Sequence, residues 1–421
     1  MTTVRVLMQV AAQNDLILQQ MDVKTAYLNA PIDCEIFIEQ AEGFETPSLN
    51  SEEKLVYKLN KSLYGLKQSG RNWNVLLHTH LVENGFTQSE VDHCLYFKRV
   101  NENLVIILIW VDDLIIAANC ERSMSETKQL LIRRFRMKDL CKLSHFLGIK
   151  FDQGRGYVKM SKRDYIVRLL ERFGMGECKP RHTPSEQKME FTGESFECVR
   201  QYRELIGSLI YAMTCTRPDI CWTITILSQY LAKPLKEHWV AAKNVLRYLK
   251  GSLDYEICYR MGYQNLKLIG YSDADWASCA VDRRSVSGYC FSLSKEGPLI
   301  SWKSKKQQTI ALSSCESEYV ALSLAVQEAL HLVQLLAKLI ELVDPVEIYE
   351  DNQGTIALSK DPVSRQRTKH IDVKYHFIRS NINAGNVVVN YCPTDDMVAD
   401  IFTKPVTRNK LMNFKEFIFG K

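Results

Sequence analysis

Apolar and polar positions follow two rhythms along the chain, and the rhythm changes with position. Residues 1 to about 155 mix short β-prone runs, LILQQMDV (16–23), EIFIEQ (35–40) and LYFKRV (95–100), with helical spacing in GRNWNVLLHTHLVENG (70–85), an α+β pattern. From 156 to 262 the helical period dominates, in SKRDYIVRLLERFG, YRELIGSLIYAMT, DICWTITILSQYLA and EHWVAAKNVLRYLKG. Between these lies CKPRHTPSEQKMEFTGES, whose Pro, Ser, Thr and Gly content predicts an exposed connector. From 263 to 421 the pattern reads three strands, a helix, a strand, a helix, then a last strand and helix. Three regions are therefore expected, and no internal repeat is present.

One apolar run is interrupted in a telling way. NLVIILIWVDDLIIAAN, residues 103–119, carries Asp112 and Asp113 at its centre. A continuous strand sends neighbouring side chains to opposite faces, so it would bury at least one acid unpaired, at a cost of several kcal/mol. Two arms of a tight hairpin with the acids at the turn avoid that cost and leave the carboxylates free to share a cation. A solvent-exposed turn with incidental aspartates is the competing reading. Asp22, at the end of LILQQMD, supplies a strand-end carboxylate from elsewhere in the same region. Acids converging from two such elements suit divalent ions and nucleotidyl transfer.

The C-terminal region holds a second set of acids. Asp273 and Asp275 lie on a strand in LKLIGYSDADWAS, Glu316 and Glu318 open an amphipathic helix, Asp351 ends the strand VEIYED, and Asp400 sits on a short helix in DDMVADIF. Like charges gathered this way repel unless metal neutralises them. Helix capping is the alternative, and it suits Glu316 best.

Composition limits the setting. With 421 residues, 46% hydrophobic and 24% charged, the chain has the make-up of a globular protein of two or three domains. No apolar run nears the roughly 20 residues of a membrane span and the N-terminus lacks a signal layout, so a cytoplasmic or nuclear location without a membrane is expected. The 13 cysteines contain no C-x-x-C, against both a zinc ribbon and a disulfide framework. A net charge of +5 permits nucleic-acid binding without establishing it.

MDVKTAYLNAPI, VYKLNKSLYGLKQSGRNW, IWVDDLIIA and RFRMKDLCKLSHFLGIKF follow one another as do the motifs of the reverse transcriptase of copia-type LTR retrotransposons. The resemblance runs on through YRELIGSLIYAMTCTRPDI and KNVLRYLKGSLDY, and covers essentially the whole chain, whose C-terminal third resembles ribonuclease H. It implies an α+β fold: a right-hand-type polymerase palm with truncated fingers at 1–155, a helical thumb and connection at 156–262, and an α/β ribonuclease H-like domain at 263–421. It implies RNA-directed DNA synthesis and cleavage of the RNA of the hybrid, each with two Mg²⁺ ions, Mn²⁺ being an alternative. Partners would be an RNA template, a DNA primer, the RNA/DNA hybrid, deoxynucleoside triphosphates and other segments of the Pol polyprotein, in a cytoplasmic virus-like particle.

Carried over residue by residue, the resemblance makes Asp22, Asp112 and Asp113 the metal ligands of the polymerase site. Tyr27 excludes the ribose 2′-hydroxyl, and Gln68, Lys67 and Arg71 approach nucleotide and template. In the ribonuclease H-like site it selects Asp273, Glu318, Asp351 and Asp400, choosing Glu318 over Glu316 because a small residue, Ala321, follows three positions later. Lys303, Lys305 and Lys306 would track the hybrid. Two departures stand out. Trp110 replaces the family's tyrosine before V-D-D, and no loop histidine precedes Asp400, leaving His370 and His376 as substitutes that also fit a structural role. Only about 20 residues precede Asp22, where relatives carry a fingers segment that grips the triphosphate. A weak polymerase is therefore expected, or a decayed remnant that binds nucleic acid with at most ribonuclease H activity.

Overall fold

The computed structural model describes residues 1–46, 55–185, 191–263, 266–279, 281–340, 342, 345–360 and 369–420. Its packing separates two compact units, Leu16–Leu143 and the combination of Met1–Asp15 with Ser144–Lys421. The sequence reading instead draws boundaries near 155 and 262. The difference at the N-terminus has a physical cause: the helix Thr2–Gln13 is buried from Thr3 to Ala12 and packs on the strands Tyr157–Ser161, Ile257–Arg260 and Leu299–Lys306. Its Arg5 guanidinium donates to the Ile300 and Thr214 carbonyls, both at 2.7 Å, and lies 3.7 Å above the Trp302 ring.

The Leu16–Leu143 unit is built on a six-stranded sheet in the order Thr87–Gln88, Leu95–Val100, Asn103–Trp110, Asp113–Ala118, Ile17–Val23, Met137–Lys142. All its pairings are antiparallel. Alternate residues Met21 and Val23, Ile107 and Ile109, and Leu114 and Ile116 face one side. There they join Trp73, Leu77 and Leu81 of the helix Ser69–Glu83 and Met124 and Leu131 of the helix Glu121–Arg134 in one core. Phe37–Glu39 and Val56–Lys58 form a separate antiparallel ribbon.

The other unit contains two sheets. Its four-stranded antiparallel sheet, ordered Ile257–Arg260, Tyr157–Ser161, Ile149–Gly154, His145–Phe146, is flanked in sequence by the helices Arg163–Arg172, Val199–Cys215, Cys221–Ser228 and Lys236–Gly251. Those helices fall where the 3.6-residue period places them. Arg217 and Asp219 form a buried pair at 2.6 Å, with the Tyr248 hydroxyl donating to Asp219 at 2.7 Å and Arg217 donating to the Ser252 hydroxyl at 2.6 Å.

The five-stranded sheet runs Leu299–Lys306, Val286–Ser292, Ile269–Ala274, Val346–Glu350, Val387–Tyr391. The first three strands are antiparallel and the last two join in parallel, the α/β arrangement expected of this region. The helix Ser314–Leu336 packs on Ile269–Ala274 and Val286–Ser292. By length and composition it is apolar enough to cross a membrane, contrary to the expectation that no such run exists, but 61% of its most apolar window is buried inside the protein. Its hydrophobicity answers to the core it fills.

Candidate active sites

In the Leu16–Leu143 unit the acids gather at one end of the sheet. Trp110 pairs with Asp113, so Val111 and Asp112 form a two-residue turn and Asp113 begins the returning strand. Asp113 lies opposite Asp22 on the neighbouring strand, and the Val23 amide donates to the Asp112 carbonyl at 2.7 Å. Val111 has φ of 55°, a left-handed conformation that β-branched residues avoid at a cost of about 1–3 kcal/mol. The Trp73 indole N–H holds this turn by donating to the Val111 carbonyl at 2.9 Å. Tyr64 donates to Asp112 Oδ2 at 2.9 Å, while Asp112 Oδ1 is buried with no hydrogen-bond partner. Burial pushes the Asp113 carboxyl up; a Gln20 amide at 3.4 Å opposes this, and Asp22 and Asp112 add to it. A cation would relieve both the orphan oxygen and the repulsion.

The Tyr27 ring packs tilted against Tyr64 with centroids 4.5 Å apart, and Tyr64 in turn donates to Asp112. Tyr64 follows LNKSL in the quoted motif and Trp73 closes GRNW, yet neither stands out in the sequence. Gln68 is half-buried, with its amide 3.4 Å from Cys34 Sγ, and Lys67 and Arg71 are exposed. Trp110 is 56% exposed, at the rim of the turn.

In the second unit Asp273, Glu318 and Asp351 each bring a ligand atom within 4.8 Å of the others, the one such group of acids, histidines and cysteines among the described residues. Among the described residues, Asp22, Asp112 and Asp113, at one end of the six-stranded sheet, form no such group, and Asp400 is outside this one as well. Glu318 Oε2 accepts the Ala274 amide at 2.6 Å, and Thr394 donates to Asp351 Oδ2 at 2.7 Å. Glu316 has another role: its carboxylate accepts the Leu312 amide at 2.9 Å while its own amide donates to Ser313 Oγ at 3.2 Å. Together the two bonds cap the start of the helix. Asp275 is likewise taken, by the Val286 amide at 2.5 Å and by Ser278.

Asp400 lies on the turn Val398–Phe402, which descends on Asp273 over Gly288. A Cβ at 288 would come within 2.7 Å of Phe402 Cβ and Thr403 Cγ2, so only glycine admits this approach. Thr403 then donates to Asp273 Oδ2. Burial drives the Asp273 carboxyl up to about 7 against the attraction of Lys404, and drives Glu318 well above the usual carboxylate range, with Glu350 and Asp273 adding to it.

Glu350 was not foreseen. It is fully buried beside Asp351, raised by burial and by Asp273, and its Oε2 lacks a hydrogen-bond partner. Sequence reading keyed on D-N-Q passes over the residue just before it. Lys303 and Lys305 are exposed on the sheet's edge strand; the Lys306 ammonium is engaged by Gln229 and Asp282, each at 2.9 Å, and by Cys279 at 3.1 Å. His376 is exposed, and the side chain of His370 lies outside the described residues.

A pattern for reverse transcriptase (RNA-dependent DNA polymerase) matches residues 1–187. Over 99% of its length the chain is 38% identical to the retrovirus-related Pol polyprotein from transposon TNT 1-94 of Nicotiana tabacum, covering 32% of that protein. It is 33% identical over 313 residues to the transposon Ty5-1 protein YCL074W of Saccharomyces cerevisiae, which it covers completely, at 100%. Among solved structures, a foamy viral protease-reverse transcriptase in complex with dsDNA superposes with a TM-score of 0.52 at 12% identity, over 90% of this chain and 68% of that one, a likeness of fold. The match to reverse transcriptase and the transposon relatives place this mixed α and β chain in the reverse transcriptase class. Within it, the chain belongs to the copia-type retrotransposon Pol family, and it spans about a third of the length of the Pol polyproteins it matches.

Proposed function

We propose that the chain copies element RNA into DNA at the Asp22–Asp112–Asp113 site and degrades the RNA of the resulting hybrid at the Asp273–Glu318–Asp351 site. The observation that carries this reading is the convergence of Asp273, Glu318 and Asp351 to within 4.8 Å, with Asp273 and Glu318 buried where their charge is disfavoured. Mg²⁺ suits these all-oxygen donors, two ions per site; bound there, it neutralises phosphate charge and lowers the pKa of an attacking hydroxyl or water.

The protein's own part is positioning. Phosphoryl transfer asks for little covalent chemistry, so aspartates that hold charge in fixed places are more useful than general bases. Trp73 fixes the hairpin turn and Tyr64 orients one oxygen of Asp112, and Tyr27, in contact with Tyr64, is assigned to the sugar of an incoming nucleotide. In the second site the Ala274 amide orients Glu318, Thr394 orients Asp351, and Thr403 orients Asp273. Lys67, Gln68 and Arg71 are assigned to template and nucleotide, and Lys303, Lys305 and Lys306 to the hybrid. RNA template, DNA primer and deoxynucleoside triphosphates are the proposed partners, with other Pol segments, in a cytoplasmic particle or the nucleus.

Primer extension on an RNA template and cleavage of a labelled RNA/DNA hybrid, each with Mg²⁺ and with chelator, test the assignment. Metal-dependent cleavage that Glu318→Gln abolishes supports it. Absence of both activities in a folded, hybrid-binding chain identifies the remnant.

A further inference from the structure

Asp400 stands apart from the other acids because its two oxygens already face cations. Lys404 Nζ is 2.6 Å from Oδ1 and Lys410 Nζ is 2.5 Å from Oδ2. The same Lys404 ammonium lies 3.7 Å from Asp273 Oδ2. It thus bridges two carboxylates whose side chains are 2% and 3% exposed, Asp273 on the central strand and Asp400 on the turn above it. The turn sets the bridge: the Lys404 amide donates to the Asp400 carbonyl at 3.1 Å, and the side chain curls back over one turn. Two buried carboxylates without a cation between them would be strongly destabilising.

The two lysines differ in how firmly they are held. Lys410 also donates to the Thr394 carbonyl at 2.7 Å and is 22% exposed, so it anchors Asp400. Lys404, 39% exposed, is held among the described residues by the two carboxylates, on a flexible stem that reaches solvent. Asp273 belongs both to this bridge and to the group with Glu318 and Asp351. One acid therefore serves two adjacent cation positions, one open to an ion and one filled by the protein.

We propose that Lys404 is a built-in cation at the Asp273–Asp400 position: a first divalent ion loads at Asp273–Glu318–Asp351, and a second enters only by displacing the Lys404 ammonium. This rests on the ribonuclease H reading of the site. It gives the resting chain a neutralised site at low metal, and it makes loading of the second ion a competition. A phosphodiester at the site would favour the exchange, because its charge offers the displaced ammonium a new partner.

Mn²⁺ titration of the whole chain without nucleic acid, read by the electron paramagnetic resonance of free Mn²⁺, tests this directly. Measured in an Asp22→Asn, Asp112→Asn background that removes the ligands of the other site and serves as the wild type for this one, the chain should bind two ions with the second at least ~10-fold weaker, a gap worth about 1.4 kcal/mol. Lys404→Gln should narrow the gap, and Lys404→Arg, which keeps the charge, should retain it. Should Lys404→Gln not fold, the wild type alone still decides: amine labelling of Lys404, followed by mass spectrometry, should rise as the second ion binds and not as the first does. Two ions of equal affinity in the wild type, or labelling that stays flat while the second ion binds, overturns the proposal. A first ion whose binding survives Asp273→Asn removes the metal reading of the site and this inference with it, whereas a first ion lost in that variant with an unchanged gap in Lys404→Gln overturns only the role of Lys404.

Discussion

Asp273→Asn should stabilise the metal-free protein at alkaline pH, because the site is arranged for a cation and not for the fold. Asp273 is 1% exposed, and burial raises its carboxyl from 3.8 to about 7. Between those values the folded state keeps a proton that the unfolded state has released, so this group's contribution to stability falls as pH rises through the window and levels off above about 7. At 1.36 kcal/mol per unit, the full penalty on the ionised form is about 4 kcal/mol, an upper bound for a group that shares its proton with neighbouring acids. Asparagine has nearly the same shape, does not titrate, and keeps an oxygen to accept the Thr403 hydroxyl. Denaturation by urea in chelator should therefore show the variant gaining about 2–3 kcal/mol on the wild type between pH 5 and pH 8. Mg²⁺ at about 100 times its dissociation constant should add about 2.7 kcal/mol to the wild type and little to the variant, closing the gap. A variant less stable than wild type at pH 8 in chelator, or a difference that does not move with pH, would refute the account of why Asp273 is raised.

Trp73→Phe keeps an aromatic but smaller ring and removes the indole donor from the Val111 carbonyl, and should lower primer extension more than hybrid cleavage at a stability cost of about 1–3 kcal/mol; equal loss of both activities argues against a local effect. Glu316→Gln should cost about 1 kcal/mol of stability and leave cleavage nearly intact, whereas Glu318→Gln should abolish cleavage in a folded chain, so the reverse pattern in a hybrid assay shows the wrong acid was chosen. Asp219→Asn leaves the fully buried Arg217 uncompensated and should destabilise by about 3–5 kcal/mol in urea titration; a loss under 1 kcal/mol would mean the pair is dispensable. Burial lowers His238 from 6.5 to about 4, so the unfolded chain takes up a proton the folded one refuses, and stability should fall by up to about 3 kcal/mol as pH drops through that window, a step that His238→Gln removes from the profile.

How much of this was legible depends on the range of the interaction concerned. The hairpin around Asp112 was readable because two acids cannot sit inside an apolar strand without cost, a local argument that needs no partner. The helices of residues 163–251 were readable from period alone. The four-stranded sheet was not: His145–Phe146 has two residues, Ile257–Arg260 four, and the latter pairs with Tyr157–Ser161 across about 100 residues of helical sequence. Short strands carry too few alternations to show a period, and their pairing is fixed by distant chain. Boundaries at 15 and 143 escaped for the same reason, since the burial of the Thr2–Gln13 helix depends on Thr214, Ile300 and Trp302.

The sites divide along the same line. Asp22, Asp112, Asp113, Asp273, Glu318, Asp351 and Asp400 stand out in the sequence through the motifs they share with a known family, and the structure brings three of them, Asp273, Glu318 and Asp351, within 4.8 Å of one another. Lys404 and Lys410 do not stand out, because a lysine's meaning depends on whether a carboxylate faces it. Glu350 and Val111 mark the other limit: an acid fully buried with an oxygen unpartnered, and a β-branched residue at φ of 55°. Neither favours folding, and each lies directly beside a carboxylate assigned to metal. Asp112 Oδ1, buried and unpartnered at the Val111 turn, repeats in the palm what Glu350 Oε2 shows in the mixed sheet. Both units thus give up stability where a cation would restore it, and in the one place where the loss would be largest, between Asp273 and Asp400, the chain supplies the cation itself.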